Sequence, residues 1–202
     1  EEKVIEKIEE LNSNDEANGI LVQLPLPDQI DNNRIFNTLS LEKDVDGLTP
    51  LNLGKTLRGD KNLIPCSVQA IVKIIENEEV DLKGKEVTVI NNSNLIGKPL
   101  SMVLTQKGAT VTLCHKDTED LGEHTKKANI VVTATGKSGL LGEEMVTENT
   151  FIIDAGYEAG EKSESVKIED KVSKISPEPG GLGPITVAMT LKNLVKCYKM
   201  QN

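Results

Sequence analysis

Aromatic residues are nearly missing from this sequence of 202 residues, with two Tyr, two Phe and no Trp, so Leu, Ile and Val must build any core. Cysteine is also scarce: Cys66, Cys114 and Cys197 are odd in number, far apart and without a CxxC pair. That pattern argues against a disulfide framework or a zinc site and places the chain in a reducing cytosol. Positive charge is in short supply, 23 Lys and Arg against 32 Asp and Glu, for a net charge of −9. Such a field repels a phosphate backbone, which argues against nucleic acid as a partner, although a local basic patch still suits one small phosphorylated ligand. No apolar run approaches the roughly 20 residues that cross a bilayer, so no membrane partner is expected. No charged-then-apolar leader is visible. Asp44 and Asp46 resemble half a metal site, but no His, Glu or further Asp completes it, so no metal is expected.

What is present is an ordinary globular balance, 37% hydrophobic and 27% charged, long enough for one large domain or two small lobes. The chain opens at Glu1 inside an amphipathic helix whose apolar face is Val4, Ile5, Ile8 and Leu11. A natural protein rarely begins so, and upstream sequence is expected. Ile20 to Leu24 reads as a short buried strand ended by Pro25 and Pro27. Asp31 to Leu41 reads as a helix, and Lys43 to Gly59 as loop. Val68 to Ile75 is expected to be helical.

A regular alternation follows. Strands are expected at Glu86–Ile90, Thr110–Cys114, Ile130–Ala134 and Thr150–Asp154. Helices are expected at Ile96–Lys107, Leu121–Ala128 and Glu143–Thr147. Strands alternating with helices imply βαβ units, right-handed crossovers and a doubly wound, Rossmann-like parallel sheet. Residues 158–174 read as a surface excursion and Pro177 to Pro184 as a rigid loop. A closing helix over Thr186–Cys197 carries an apolar stripe of Val187, Leu191, Leu194 and Val195.

Six stretches carry polar or turn residues where chemistry is done. Asn91-Asn92-Ser93, between a strand and a helix, sits where nucleotide phosphates meet backbone N–H groups. The glycine fingerprint is absent, but Asn tolerates left-handed backbone, so a tight turn survives. Read alone, without its context, this is an ordinary polar loop. Lys116, just past the second strand of the alternation, stands where an adenosine ribose lies in a Rossmann lobe and would suit a 2′-phosphate. The plainer alternative is a helix-capping stretch, with Asp117 or Thr118 as the cap. Thr135 and Gly136 end a strand in small residues that let a ligand approach the backbone, or simply make a turn. Pro177 to Val187 mixes stiff and free positions, which suits a loop that lines a ligand. Gln23, at the end of a buried strand, needs a partner or a ligand. Asp44 and Asp46 are turn caps, a solvated pair or ligand acceptors.

In order along the chain, VQLPLP (Val22–Pro27), KDVDG (Lys43–Gly47), SNLIGKP (Ser93–Pro99), TATGK (Thr133–Lys137) and PGGLGPITVAM (Pro179–Met189) resemble the bifunctional methylenetetrahydrofolate dehydrogenase/cyclohydrolase family. The resemblance implies a Rossmann-like cofactor lobe, residues 67–179, and a smaller α/β catalytic lobe from residues 1–66 with 180–202. It implies oxidation of 5,10-methylenetetrahydrofolate with NADP (NAD being possible), then hydrolysis to 10-formyltetrahydrofolate in one-carbon metabolism. It further implies a folate substrate, a homodimer, a cytoplasmic setting and a link to purine synthesis. By position, Gln23 and Asp46 are the catalytic pair, Gln23 holding the family's lysine and Asp46 binding the pterin. Val22, Leu24, Pro179, Gly180, Gly181, Leu182, Gly183, Pro184, Ile185, Thr186 and Val187 flank the folate. Asn91, Asn92, Ser93, Lys116, Thr135, Gly136 and Tyr157 hold the cofactor.

The chain departs from the family's pattern at four places. No Tyr-x-x-x-Lys is present, and that motif, with the catalytic lysine, would precede Glu1. Asn91-Asn92-Ser93 replaces Gly-Arg-Ser. Pro65-Cys66-Ser67-Val68-Gln69-Ala70 replaces Pro-Cys-Thr-Pro-x-Gly. Glu178 replaces an apolar residue between two prolines. The alternative these departures admit is a non-catalytic nucleotide- or folate-binding paralogue.

Overall fold

The structure is a computed structural model that describes residues 1–137, 139–156, 168, 170–176 and 181–202. In chain order its helices are α1 (Glu2–Asn12), α2 (Asn32–Thr38), α3 (Pro50–Leu57), α4 (Cys66–Asn77), α5 (Gly97–Gln106), α6 (Leu121–Thr125) and α7 (Leu182–Gln201). Its strands are β1 (Glu86–Ile90), β2 (Thr110–Cys114), β3 (Ile130–Thr133), β4 (Phe151–Asp154) and β5 (Lys174–Ile175). The chain divides into two compact units, Glu1–Cys66 with Thr186–Asn202, and Ser67–Ile185.

In the first unit, the expected apolar face of α1 meets a small core. Ile8 is buried with Ile20, Val22, Ile35 and Leu39, and Val4, Ile5 and Leu11 pack against them. Asp31 starts α2 by accepting from the Asn33 N–H at 2.8 Å, the N-cap arrangement that satisfies an orphan helix donor. The stretch expected as loop from Lys43 to Gly59 contains α3. Its start is written in Thr49-Pro50: Thr49 caps the helix and Pro50 occupies the first turn, where a missing N–H costs nothing.

The expected strand over Ile20–Leu24 is not formed. Only an isolated parallel bridge joins Ile20 to Asp44, because a strand needs a continuous ladder and just the Lys43–Val45 backbone is offered. Ile20 N donates to Lys43 O at 2.6 Å and Val45 N to Ile20 O at 3.3 Å. The burial pattern still alternates, with Ile20 and Val22 inside and Leu21 and Gln23 exposed. The Leu24–Pro25 peptide is cis.

The second unit is the doubly wound sheet the alternation implies. Its five strands are ordered β2-β1-β3-β4-β5, all parallel. β1 and β3 show four buried residues each, Val87–Ile90 and Ile130–Thr133, as expected of strands covered on both faces. Below them Ile90, Cys114, Val131, Val146 and Ile152 form part of a buried cluster. Three expectations shift. β5 lies within and just beyond the expected excursion and pairs with β4 over Phe151–Lys174 and Ile152–Ile175. The cap of α6 is Asp120, which accepts from Glu123 N, rather than Asp117 or Thr118. Thr118 instead closes a turn by accepting from His115 N at 2.9 Å. Glu143–Met145 is a single 3₁₀ turn.

The closing helix α7 starts earlier than expected, at Leu182, with Pro184 in its first turn, where the N–H groups lack helical partners anyway. Its expected apolar stripe faces outward: Val187, Leu191 and Val195 are 62%, 60% and 53% exposed, and Leu194 is 37% exposed. The buried face holds Asn193 and Cys197 instead. Periodicity located a stripe, but hydrogen bonds from Asn193 decide which side of the helix turns inward.

Candidate active site

In the KDVDG stretch of the first unit four of the five residues are structural. The buried Lys43 ammonium donates to the carbonyls of Leu11 at 3.0 Å, Asn12 at 2.8 Å and Asn14 at 2.8 Å, capping the end of α1 with all its protons used. Asp44, fully buried, accepts from the N–H groups of Gly47 (2.9 Å), Leu48 (3.2 Å) and Thr49 (2.8 Å) and from the Asn52 amide (2.8 Å). A buried carboxylate is costly unless its oxygens are hydrogen-bonded, and here four donors surround it. Val45 enters the core. Gly47 sits at φ +74°, and a Cβ there would lie 2.6 Å from the Leu63 carbonyl oxygen, so only glycine fits.

Asp46 is the remaining residue, and its carboxyl is half-buried. Burial pushes that carboxyl above its ordinary value; the Cys66 thiol and N–H pull it back, while Asp44 adds to the rise. Its backbone is pinned, Asp46 O accepting from Cys66 N at 3.3 Å. A half-buried carboxyl on a fixed loop suits a ligand that offers N–H donors.

Gln23 is exposed and donates to Leu24 O at 3.1 Å, so the expectation of a polar group at the end of a buried strand is corrected. The parallel bridge joins Ile20 to Asp44, three residues before Gln23 and two before Asp46, and the chain turns directly after Asp44, with Gly47 N donating to Asp44 O at 3.3 Å. Val22 packs into the core, which leaves its backbone rather than its side chain for a ligand; Leu24 is half-buried. Thr186 is half-buried and Val187 exposed, both in α7.

The sequence did not single out two supports of this loop, Cys66 and Asn193. Burial raises the Cys66 thiol to about 12 and the Cys197 thiol to about 11, and it also raises Cys114. All three thiols are therefore poor nucleophiles.

In the second unit, β1 connects to β2 on one side and β3 lies on the other, so the topological switch point falls between β1 and β3. The loops leaving these strands meet there. The Asn91 amide donates to Ala134 O at 2.6 Å. Asn91 Oδ1 accepts from Ser93 N (2.8 Å), Ser93 Oγ (2.6 Å) and Gly97 N (3.2 Å). The Asn91 and Ser93 side chains thus build the loop, and Asn92 and Asn94 are exposed on it. The expected left-handed asparagines are not found: among described residues only Glu79 and Asp120 are non-glycine with positive φ. Side-chain bonding closes this turn instead. Thr135 accepts from Lys137 N at 3.2 Å, and the loops after β3 and β4 touch where Gly156 approaches Gly136. Lys116 is exposed just past the end of β2.

Gly181 is buried, Leu182 and Ile185 are half-buried, and Gly183 and Pro184 are exposed; Leu182–Ile185 form the first turn of α7. Tyr157, Pro179 and Gly180 lie outside the described residues, as does Glu178. Among the described residues no group of three or more His, Cys, Asp and Glu is placed to hold a metal ion, and no helix is long and apolar enough to cross a membrane.

A parallel sheet with strand-end loops gathered at a switch point, joined to a smaller unit that fixes one acidic acceptor, defines a Rossmann-like α/β protein. Its relatives are specific. The family models described as tetrahydrofolate dehydrogenase/cyclohydrolase, catalytic domain, and tetrahydrofolate dehydrogenase/cyclohydrolase, NAD(P)-binding domain, match residues 1–46 and 65–202. The bifunctional protein FolD of Bacillus licheniformis is 43% identical over 205 residues, covering 98% of this chain and 72% of that protein. The one from Bacillus subtilis is 42% identical with the same coverage. The crystal structure of the bifunctional enzyme FolD from Campylobacter jejuni superposes with a TM-score of 0.93 at 37% identity, covering all of this chain and 74% of that one. That of the Trypanosoma brucei enzyme, complexed with NADP cofactor and inhibitor, gives 0.89 at 30%, covering 98% and 72%. The chain belongs to the tetrahydrofolate dehydrogenase/cyclohydrolase family.

Proposed function

We propose that this protein oxidises 5,10-methylenetetrahydrofolate to the methenyl form with NADP and hydrolyses that product to 10-formyltetrahydrofolate, in one-carbon metabolism. Membership in the family supports the two activities. The single observation that carries the site assignment is Asp46, the one member of its acidic loop not consumed by structure. In this reading the Asp46 carboxylate accepts N–H donors of the pterin ring. In the same reading Gln23 orients the group that handles protons, and Leu24 with Thr186 and Val187 of α7 borders the folate.

The switch-point loops fit a dinucleotide, because Asn92 is exposed there and Thr135 and Gly136, half-buried, end the neighbouring strand in small residues. Lys116, past β2, is placed for a 2′-phosphate. NADP supplies the hydride acceptor. The protein's own contribution to that step is positioning, since no acid is needed at the carbon that gives up hydride. We extend the reading to a homodimer in the cytoplasm that serves purine synthesis, on the strength of the family resemblance alone. No observation favours the non-catalytic alternative.

The test is absorbance in the reduced-nicotinamide band. It should rise only when methylenetetrahydrofolate and NADP are both present, and a flat trace with NADP and with NAD would sink the dehydrogenase assignment.

A further inference from the structure

We infer that Asn193 is a positioning residue for folate binding: its amide, carried on α7, clamps the segment that holds Asp46 to the segment that opens α4. This rests on the reading of Asp46 as the pterin acceptor. Asn193 is fully buried, on the face of α7 opposite the exposed apolar stripe. A buried amide is costly unless its donors are used. Here Nδ2 donates to Val45 O at 3.0 Å and to Ile64 O at 3.0 Å, and it lies 3.4 Å from Cys66 Sγ. Both carbonyls belong to connecting segments outside the regular helices and strands. Two N–H bonds fit two carbonyls, and the thiol lies alongside.

The clamp acts on both neighbours of the acceptor. Val45 directly precedes Asp46, and Cys66 donates its own N–H to Asp46 O at 3.3 Å. The Cys66 thiol donates to Val45 O at 3.4 Å. Asn193 therefore fixes the peptide before Asp46 and the residue that bonds Asp46, from more than a hundred positions away in sequence. An apolar residue of equal size would fill the space but remove the amide donor from both carbonyls. The titratable groups that bear on Asp46 are Asp44, on its own loop, and Cys66, at the start of α4.

The test is calorimetric titration of the full chain with tetrahydrofolate and, separately, with NADP. Asn193→Ala should weaken tetrahydrofolate binding about tenfold or more and leave the NADP dissociation constant within about twofold. The acid midpoint of tetrahydrofolate binding should also move down, toward the ordinary carboxylate range, because a loosened loop admits water to Asp46. Loss of bulk stability alone would not move that midpoint. Unchanged tetrahydrofolate affinity, or an unchanged acid midpoint, overturns the clamp. If the alanine variant is recovered unfolded, Asn193→Ser keeps one donor and leaves room for water; wild-type affinity and midpoint in that variant overturn the proposal equally. Asp46→Ala, run alongside, separates the two failures. Unchanged folate affinity there overturns the reading of Asp46 itself. Weakened affinity there with none in Asn193→Ala overturns only the clamp.

Discussion

Gly97 lies directly against the Asn91 carbonyl: a Cβ at Gly97 would sit 1.5 Å from that oxygen. The first turn of α5 and the end of β1 are thereby packed backbone to backbone, with Asn91 Oδ1 accepting the Gly97 N–H at 3.2 Å. This contact shapes the loop that the glycine fingerprint shapes in other dinucleotide-binding units, using one glycine and one asparagine.

Gly97→Ala should therefore be severe. The obstacle is backbone, not a flexible side-chain tip, so either α5 or the loop must move. A loss of about 3 kcal/mol is expected in chemical denaturation of the second unit, together with weakened NADP binding. A variant within about 0.5 kcal/mol of wild type would show that the approach is not tight.

The two aspartates of the acidic loop should behave in opposite ways. Asp44→Ala removes the carboxylate that four buried donors share, those of Gly47, Leu48, Thr49 and Asn52, and strands the Leu48 and Thr49 N–H groups outright, for a cost of about 3 kcal/mol. Lys43→Met keeps the stem but strands three carbonyls at the end of α1, for a loss of about 2 kcal/mol. Urea melts of both variants against Asp46→Asn give the ranking.

Asp46→Asn should raise stability near neutral pH. Burial holds the Asp46 carboxyl above its ordinary value in the folded chain, so the folded state binds that proton more tightly than the unfolded state. The resulting penalty is absent below the unfolded value, grows as pH rises through the folded value, and is complete above it. Removing the charge removes the penalty at neutral pH and changes nothing at acid pH. Thermal melts of the two proteins across pH should converge on acidification; a constant gap would assign the effect to something other than titration.

Lys116→Ala should lower NADP affinity about tenfold, roughly 1.4 kcal/mol, and leave NAD affinity within about twofold. Equal loss for both cofactors, or none, in paired titrations removes Lys116 from the 2′-phosphate site.

Much of this was written locally. The strand Glu86–Ile90 has the bounds its sequence implies, because a strand buried on both faces is a short apolar run whose limits are set by its own residues. The family motifs are equally local, since backbone turns and caps need particular residues at particular offsets. Thr49-Pro50 marked α3 just as plainly, yet glycines at 47, 54 and 59 drew the stretch toward loop; Gly54 is tolerated because it faces open space.

The sequence determined the parallel sheet, the order of the elements and the family, all of which depend on periodicity and short-range chemistry. Tertiary structure alone decided which aspartate of KDVDG is spent on structure and which is left for a ligand. It also decided that Ile20–Leu24 would make one bridge rather than a strand, and that α7 would bury Asn193 and expose Leu191. The bridge and the facing of α7 depend on partners far away in the chain, Lys43 and Val45 for Ile20 and the Val45 carbonyl for Asn193; the choice between the aspartates depends on how the turn after Asp44 folds Gly47, Leu48, Thr49 and Asn52 around it. A one-dimensional pattern records what a residue can offer but not which distant group receives it.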